Sequence, residues 1–128
     1  MASKKLSIII PCYNEQSSIN KLIDNCIETI NEEVEILLVD NGSSDNTYKT
    51  LLNLNLPKNI VIYRIEKNIG YGNGILFGLK KAKGEILSWT HADLQTDISD
   101  VIRGFNIYEK ELNKKTCIVK GERKNRNI

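Results

Sequence analysis

The segment WTHADLQTD, from Trp89 to Asp97, carries the side chains whose types and spacing best fit a chemical role. An extended chain directs alternate side chains to one side, so His91, Asp93 and Gln95 are expected to lie together. Imidazole, carboxylate and amide groups can hold a divalent cation that shares its remaining positions with a diphosphate. The alternative is a polar loop without a ligand role, in which Asp97 caps the following helix. These residues alone leave both interpretations open.

The length and composition are typical of one soluble globular domain. The chain has 128 residues, of which 41% are hydrophobic and 27% charged, and is expected to bury about two thirds of its unfolded surface. A net charge of +2 does not by itself indicate nucleic acid or an anionic membrane as a partner. The N-terminal sequence enters a predicted strand too soon for a signal peptide, and no apolar run is long enough to span a membrane. Three cysteines without a CxxC spacing predict reduced thiols in a cytoplasmic protein.

Short apolar runs alternate along the chain with segments of helical periodicity. Continuous apolar runs bounded by turn residues are typical of strands that are buried on both faces. Between them, apolar residues recur at the spacing of a buried helix face. The sequence therefore predicts five strands, at residues 6–11, 34–40, 60–65, 85–90 and 117–119.

Helices are predicted in the four intervals between these strands. The first is expected to start from Asn14 or Ser17 as cap, and the second, a weaker one, to follow the turn residues NGSSDNT. The third follows the glycine-rich turn NIGYGNG and is stopped by Gly84. The fourth is capped by Asp97 and runs to about Leu112.

This alternation predicts an α/β fold with a mostly parallel sheet and helices on both faces. Such sheets bind ligands beyond the carboxyl ends of their strands, where the strand order reverses. Polar clusters follow three of the predicted strands, and we expect them to meet at one edge of the sheet. They are Tyr13-Asn14-Glu15, Asp40-Asn41 and the segment from His91 to Gln95.

Two other nucleotide-binding motifs are excluded by the sequence. A dinucleotide site needs GxGxxG directly after the first strand, whereas the turn there is PCYNE and contains no glycine. The glycines Gly70, Gly72 and Gly74 follow the third predicted strand instead and lack the required spacing. No GxxxxGK[ST] phosphate-binding loop occurs. The first loop of a nucleotidyltransferase with a similar sheet is glycine-rich and basic. The loop PCYNE is neither, so this class is disfavoured.

Five motifs in register resemble the inverting family-2 glycosyltransferases of GT-A fold. They are PCYNE, VDNGSSDNT, EKNIGYG, HADLQTD and GER, each after or beside a predicted strand. Within that family the chain is most similar to the branch of dolichyl-phosphate mannose synthase and the bacterial polyprenyl-phosphate sugar transferases. The resemblance implies a single domain over residues 1–128 that binds a nucleotide-diphospho-sugar, transfers the sugar to a polyprenyl phosphate or a glycan, and works at the cytoplasmic face of a membrane.

The resemblance also implies roles for particular residues. Asp93 and Arg123 would be catalytic, because a metal-bound carboxylate and a guanidinium stabilise the charge that develops on the departing diphosphate. His91, Asp93 and Gln95 would hold Mn²⁺ or Mg²⁺. The nucleotide-sugar would contact Pro11, Tyr13, Glu15, Leu38, Asp40, Asn68, Ala92, Asp93 and Arg123.

The sequence departs from the family pattern in three respects. Asn41 stands where the family usually has a second carboxylate after strand two, and His91 replaces the first aspartate of the DxD motif. Histidine suits Mn²⁺ better than Mg²⁺, so the preferred metal is expected to differ. The chain also ends soon after the fifth predicted strand, so we expect the acceptor-binding half to be incomplete. A nucleotide-sugar-binding module without turnover therefore stays an alternative to an active transferase.

Other residues near these motifs are expected to be structural. Trp89 is expected to pack beneath the site, and Cys12 has no histidine or lysine partner in the sequence that would make it a nucleophile. The lysines at positions 80, 81 and 83 fit the solvated end of a helix.

Overall fold

The two most apolar runs of the sequence form the centre of the sheet. In a computed structural model that describes residues 3–93, 97–115 and 117–121, strands β1 (Leu6–Cys12) and β2 (Val34–Asn41) are buried along their whole length. Strands β3 (Ile60–Ile65) and β4 (Ile86–Trp89) flank them and are more exposed. Continuous apolar runs are typical of strands with both faces covered, which is the position that β1 and β2 occupy.

The described sheet is entirely parallel, with the strand order β3-β2-β1-β4. Strand β1 pairs with β2 from Leu6↔Val34 to Cys12↔Asp40 and with β4 from Leu6↔Ile86 onwards. The chain therefore proceeds from β1 outwards through β2 to β3, and then returns to the other side of β1 as β4. This reversal places a switch point between β1 and β4, at the edge where parallel sheets bind ligands.

Helices cover both faces of the sheet. Helices α1 (Ile19–Thr29), α2 (Thr47–Leu52) and α4 (Ile98–Lys114) contribute residues to the larger core, which contains Ile8 and Ile10 of β1. Helix α3 (Tyr71–Lys81) packs on the opposite face over a smaller core that includes Ile9. Because successive strand residues point to opposite faces, one strand supplies both cores. The predicted parallel sheet with helices on both faces is confirmed.

Helix α3 lies very close to the sheet because two of its glycines face β1 and β2. A Cβ atom at Gly78 would clash with the side chain of Ile9, and one at Gly74 would lie 3.3 Å from Pro11 Cβ and Asn41 Nδ2. The absence of side chains at these two positions lets the helix backbone approach the ends of β1 and β2. The first turn of α3 is thereby brought to the switch point.

Three details differ from the sequence-based expectations. The predicted strand at residues 117–119 is wrong, because the described residues 117–121 form no strand. Helix α3 begins at Tyr71, so half of the expected glycine-rich turn is helical. The N-cap of α1 is Ser18 rather than Asn14 or Ser17. The capping role of Asp97 is confirmed, since its carboxylate accepts the Ser99 N–H at 2.9 Å.

No helix within the described residues is both long and apolar enough to cross a membrane.

Candidate functional site

A pocket of about 240 Å³ opens at the switch point. Its walls come from the ends of β1, β2 and β4 and from the first turn of α3. The residues that line it are Pro11, Cys12, Tyr13, Glu15, Asn41, Asn68, Tyr71, His91, Ala92 and Asp93.

The loop after β1 is held in place by the loop after β2. Asn14 has a left-handed backbone, with φ of 51°, a conformation that asparagine tolerates better than most residues. Its side-chain oxygen accepts the N–H groups of Ser44 and Asp45 at 2.9 and 3.2 Å. Its own N–H donates to Ser43 Oγ at 2.9 Å. These bonds fix the segment that carries Tyr13 and Glu15 against the pocket.

Asp45 joins the two loops from the other side. Its carboxylate accepts the N–H of Gln16 at 3.3 Å and both the N–H and the hydroxyl of Thr47, at 2.9 and 2.5 Å. Desolvation by itself would raise the pKa of Asp45, but the hydrogen bonds from Thr47 and Gln16 outweigh it and lower that pKa. Thr47 Oγ1 also accepts the N–H of Glu15 at 2.9 Å. The turn residues from Ser43 to Thr47 thus support the pocket wall without lining the pocket.

Asp40 and Leu38 lie behind the pocket and do not line it. Both side chains are fully buried, and Leu38 is part of the larger core. Asp40 Oδ2 accepts the Ser43 N–H at 3.4 Å and lies 3.9 Å from Arg64 Nε. The Arg64 guanidinium in turn lies 4.5 Å from the centre of the Tyr48 ring. The structure therefore places Asp40 where it supports the β2 loop.

Asn41, the next residue, has its side chain in the pocket wall. It is 2% exposed, and its Nδ2 donates to the carbonyl oxygen of Gly70 at 3.1 Å. Within the described residues its Oδ1 has no hydrogen-bond partner. An unpaired buried acceptor is costly unless a ligand or a water satisfies it. Asn41 is thus a polar group that is oriented by the protein and whose buried Oδ1 is satisfied by no described residue.

Tyr71 and His91 face each other across the pocket. Their rings stack with centroids 5.4 Å apart and planes inclined by 15°. The Tyr71 hydroxyl lies 3.1 Å from His91 Nδ1. Burial, and after it the negative charge of Asp93, raise the pKa of Tyr71. The pair joins the start of α3 to the end of β4.

Comparison with known families decides the relationship of the chain. Residues 7–117 match the family described as Glycosyl transferase family 2. The chain belongs to glycosyltransferase family 2. The predicted family is confirmed, although nothing in this match separates the dolichyl-phosphate mannose synthase branch from the others.

Solved structures of glycosyltransferases have a similar fold. S. aureus TarS 1-349 in complex with UDP is 25% identical with a TM-score of 0.65, over 82% of this chain and 33% of that one. The mannosyltransferase PcManGT from Pyrobaculum calidifontis, in complex with GDP-Man and Mn²⁺, is 25% identical with a TM-score of 0.60, over 73% and 30%. Glucosyl-3-phosphoglycerate synthase from Mycobacterium tuberculosis, at 21% identity and a TM-score of 0.58 over 70% and 34%, shows the fold alone. The chain thus spans about a third of each of these structures.

The polar side chains of this pocket fit a divalent ion that arrives bound to a substrate. Asp93 and His91 are exposed at the pocket, and Glu15 lies in the same wall. No three His, Cys, Asp or Glu side chains form a metal-binding group in the described part of the chain. A Mg²⁺- or Mn²⁺-type ion that binds phosphate oxygens needs only one or two carboxylates from the protein. Asp93 meets this requirement, and ligation by His91 stays a prediction.

Cys12 lines the pocket but is chemically inert. It is fully buried, and its thiol lies 3.5 Å from the carbonyl oxygen of Ile10. Burial, with a further contribution from the charge of Asp40, raises the pKa of Cys12 far above its usual range. A thiol held protonated in this way is a poor nucleophile, which agrees with the sequence-based expectation.

The structure brings most of the predicted nucleotide-sugar residues together. The predicted site residues that line the pocket are Pro11, Tyr13, Glu15, Asn68, His91, Ala92 and Asp93. Leu38 and Asp40 are placed behind it, and Gln95 and Arg123 lie outside the described residues. The predicted roles of all these residues stay predictions.

Sequence reasoning missed Asn41 and Tyr71 as candidate site residues. The position of Asn41 at the carboxyl end of a buried strand was a usable signal, because its polar side chain had no other assigned partner. Tyr71 gave a weaker signal, since it lies among glycines that favour a turn over a helix start.

Proposed function

We propose that this domain binds a nucleotide-diphospho-sugar at the switch point and transfers the sugar with inversion to an acceptor. The observation that carries the proposal is the convergence of three polar strand ends on one pocket. Their pocket-lining residues include Tyr13 after β1, Asn41 at the end of β2 and Asp93 after β4. Membership of glycosyltransferase family 2 supports the same conclusion.

The nucleoside is assigned to the side of the pocket formed by β1 and β2. Tyr13 is 47% exposed there and offers a ring face to a base, while Asn41 lies on the same side with a buried Oδ1 that lacks a partner among the described residues. Pro11, Glu15 and Asn68 complete this side. Asp40 acts indirectly, through its hydrogen bond to the loop that carries Ser43.

The diphosphate is assigned to the side of the pocket formed by β4 and α3. Asp93 would hold a divalent ion there, and the ion would supply positive charge where the leaving diphosphate becomes negative. The structure of PcManGT with GDP-Man and Mn²⁺ supports this assignment. Gln95 and Arg123 are proposed to contribute an amide ligand and a guanidinium to the same region.

Transfer with inversion requires attack on the anomeric carbon from the face opposite the diphosphate. An acceptor oxygen forms the new bond while the bond from the anomeric carbon to the diphosphate oxygen breaks. On this chain the residues described above fix the diphosphate, and with it the direction of attack. If the acceptor is a polyprenyl phosphate, its oxygen is already anionic and needs no general base.

A polyprenyl phosphate acceptor is proposed from the resemblance of HADLQTD and GER to the dolichyl-phosphate mannose synthase branch. Such an acceptor would bring the protein to the cytoplasmic face of a membrane. Transfer of labelled sugar to a short polyprenyl phosphate in detergent is expected to exceed transfer to a soluble glycan. The opposite ranking would assign the protein to another branch of the family.

Calorimetric titration tests the proposed donor site. UDP, GDP and GDP-mannose are titrated into the chain with Mn²⁺, and at least one is expected to bind at a single site. Asn41→Ala and Asp93→Ala should each weaken that binding, whereas Asp24→Ala on the exposed side of α1 should not. Absence of binding by all three nucleotides would reject the proposal. Binding without sugar transfer would favour a module without turnover.

A further inference from the structure

His91 departs from the family pattern at the pocket, and Tyr71 is its contact there. His91 stands in place of an aspartate of the DxD motif, and Tyr71 lies in the first turn of α3. Their ring planes are nearly parallel, and the hydroxyl of Tyr71 lies within hydrogen-bond distance of Nδ1, at 3.1 Å. Two contacts therefore fix the position of the imidazole, one through its face and one through its edge.

The hydrogen bond determines which ring nitrogen is free. A neutral imidazole has one N–H donor and one acceptor nitrogen. A phenol is a good donor and a weak acceptor, so the Tyr71 hydroxyl is expected to donate to Nδ1. The imidazole proton then resides on Nε2, because the partner of one ring nitrogen sets the state of the other. An Nε2 that carries a proton cannot ligate a cation but can donate to an anion.

We propose that Tyr71 is a positioning residue that holds His91 as the Nε2–H tautomer, so that His91 donates a hydrogen bond to a diphosphate oxygen. The diphosphate as ligand rests on the proposed function, whereas the tautomer is a property of the chain alone. In this arrangement Asp93 binds the divalent ion, and His91 contacts the same diphosphate directly. His91 would then contact the phosphate without a metal, at the position where a DxD motif has its first aspartate.

The anchoring of Tyr71 is consistent with a positioning role. The preceding residue, Gly70, accepts a hydrogen bond from the buried Asn41 at 3.1 Å, which ties the start of α3 to the end of β2. Gly74, one turn later, allows the helix to lie against Pro11 and Asn41. The hydroxyl is therefore delivered from a fixed helix turn, and displacement of that turn would also displace the imidazole.

Nuclear magnetic resonance can test the tautomer without any ligand. The chain has one histidine, so protein labelled with ¹⁵N-histidine gives two ring-nitrogen signals, both of which come from His91. At a pH where imidazoles are neutral, the parent is expected to show a protonated Nε2 and an unprotonated Nδ1. Tyr71→Phe keeps the stacking and should move the signals towards a mixture of tautomers. Tyr108→Phe, a tyrosine on α4 with the same 44% exposure as Tyr71, is the matched control and should leave them unchanged. A parent protein with the proton on Nδ1, or a mixture insensitive to Tyr71→Phe, would overturn the proposal.

Binding without metal tests the second part of the proposal. In EDTA, Tyr71→Phe should weaken the binding of UDP or GDP by about twofold, because an even mixture of tautomers leaves about half of the imidazoles able to donate from Nε2. His91→Gln, whose amide nitrogen can take the place of Nε2, should retain more affinity than His91→Asn, whose amide takes the place of Nδ1. Equal affinities for the two variants would reject the role of Nε2.

Addition of diamagnetic Mg²⁺ with the nucleotide distinguishes the competing role of His91. If His91 were a metal ligand through Nε2, its ring proton would move to Nδ1 on addition of Mg²⁺, and the proposal would fail. Retention of the Nε2 proton would support it. If the parent binds no nucleoside diphosphate under any condition, the proposed function fails, while the tautomer measurement still decides the role of Tyr71.

Discussion

Asp40 and Asn41 are neighbours in the sequence with opposite surroundings. Asp40 is fully buried and bonded to the Ser43 N–H, whereas Asn41 lines the pocket, and each has one side-chain oxygen without a partner among the described residues. The sequence predicted Asp40 as the nucleotide-sugar contact, whereas the structure places Asn41 and not Asp40 in the pocket wall. Alternation along a strand identifies the exposed face when the other face is apolar, and β2 is buried on both faces.

The two positions should therefore separate binding from stability. Asn41→Ala is expected to weaken nucleoside diphosphate binding by about three- to tenfold, because one hydrogen bond to the ligand is lost. Asp40→Ala is expected to lower the free energy of unfolding by about 1–3 kcal/mol, because the Ser43 N–H loses its acceptor. Calorimetric titration and denaturant unfolding of both variants measure the two effects. Equal loss of affinity in the two variants at unchanged stability would assign the base contact to Asp40 instead.

At the scale of elements, hydrogen bonds tie the connection between α3 and β4 to strands β1 and β2. Glu35 Oε2 accepts the hydroxyl of Ser7 and the N–H of Lys83, each at 2.6 Å, and Ser7 Oγ accepts the N–H of Gly84 at 2.8 Å. Glu35 is 6% exposed, so these bonds form away from water. The connection that delivers β4 beside β1 is held by this carboxylate.

Glu35→Ala should therefore destabilise the fold from a position remote from the pocket. Loss of hydrogen bonds to a buried charged group is expected to lower the free energy of unfolding by about 1.5–3 kcal/mol. Glu28→Ala, at an exposed position on α1, is the matched control and is expected to change it little. Urea denaturation followed by circular dichroism measures both. A Glu35→Ala protein as stable as the control would show that the chain after α3 is held by other contacts.

The loop that contains Asp45 should respond to acid. Its pKa is lowered in the folded chain by the hydrogen bonds described above, against the opposing effect of desolvation. The resulting stabilisation is present above the pKa of the unfolded chain, ordinarily about 3.9, and is lost as the pH falls through the lower pKa of the folded chain. Asp45→Asn should therefore melt below the parent at neutral pH and approach it in acid. A difference in melting temperature that persists at the lowest pH would show that the charge of Asp45 is not responsible.

Elements were predictable from the sequence to different extents. The apolar runs of β1 and β2 specify buried strands because no other placement covers both of their faces. The run Cys117-Ile118-Val119 has similar composition but is too short to specify a strand by itself. The start of α3 was missed because glycine at positions 70, 72 and 74 lowers helix propensity. Contacts with β1 and β2 offset that cost, and such contacts are not visible in a single sequence.

At the scale of the whole molecule, the pocket combines aromatic and amide groups with carboxylates. Glu15 on the β1–β2 side and Asp93 on the β4 side both bring negative charge towards the proposed ligand, which is itself an anion. Two negative groups can share this space only if a cation lies between them. The arrangement of charge therefore predicts a dependence on divalent ions that no single residue specifies.

Removal of divalent ions should weaken the binding of UDP or GDP to the intact chain. Affinity is expected to fall by about tenfold or more in EDTA, a change of 1.4 kcal/mol or more. Mn²⁺ and Mg²⁺ should restore binding to a similar extent, because His91 is proposed to contact the diphosphate and not the ion. Asp93→Asn should bind the nucleotide equally with and without metal. Calorimetric titrations with matched buffers give these values, and identical affinity of the parent protein in EDTA and Mn²⁺ would exclude a role for the cation.

The exposed edge of β4 has a practical consequence. Trp89, the one tryptophan of the chain, is 52% exposed at the end of this strand and stands two residues before His91. Part of its indole faces water and part rests on protein, so its emission is sensitive to small movements of the segment that follows. Any ordering of that segment around a ligand should alter the colour or intensity of its fluorescence. Trp89 is thus an intrinsic fluorescence probe, with which binding of the proposed nucleotide can be followed in real time without a label.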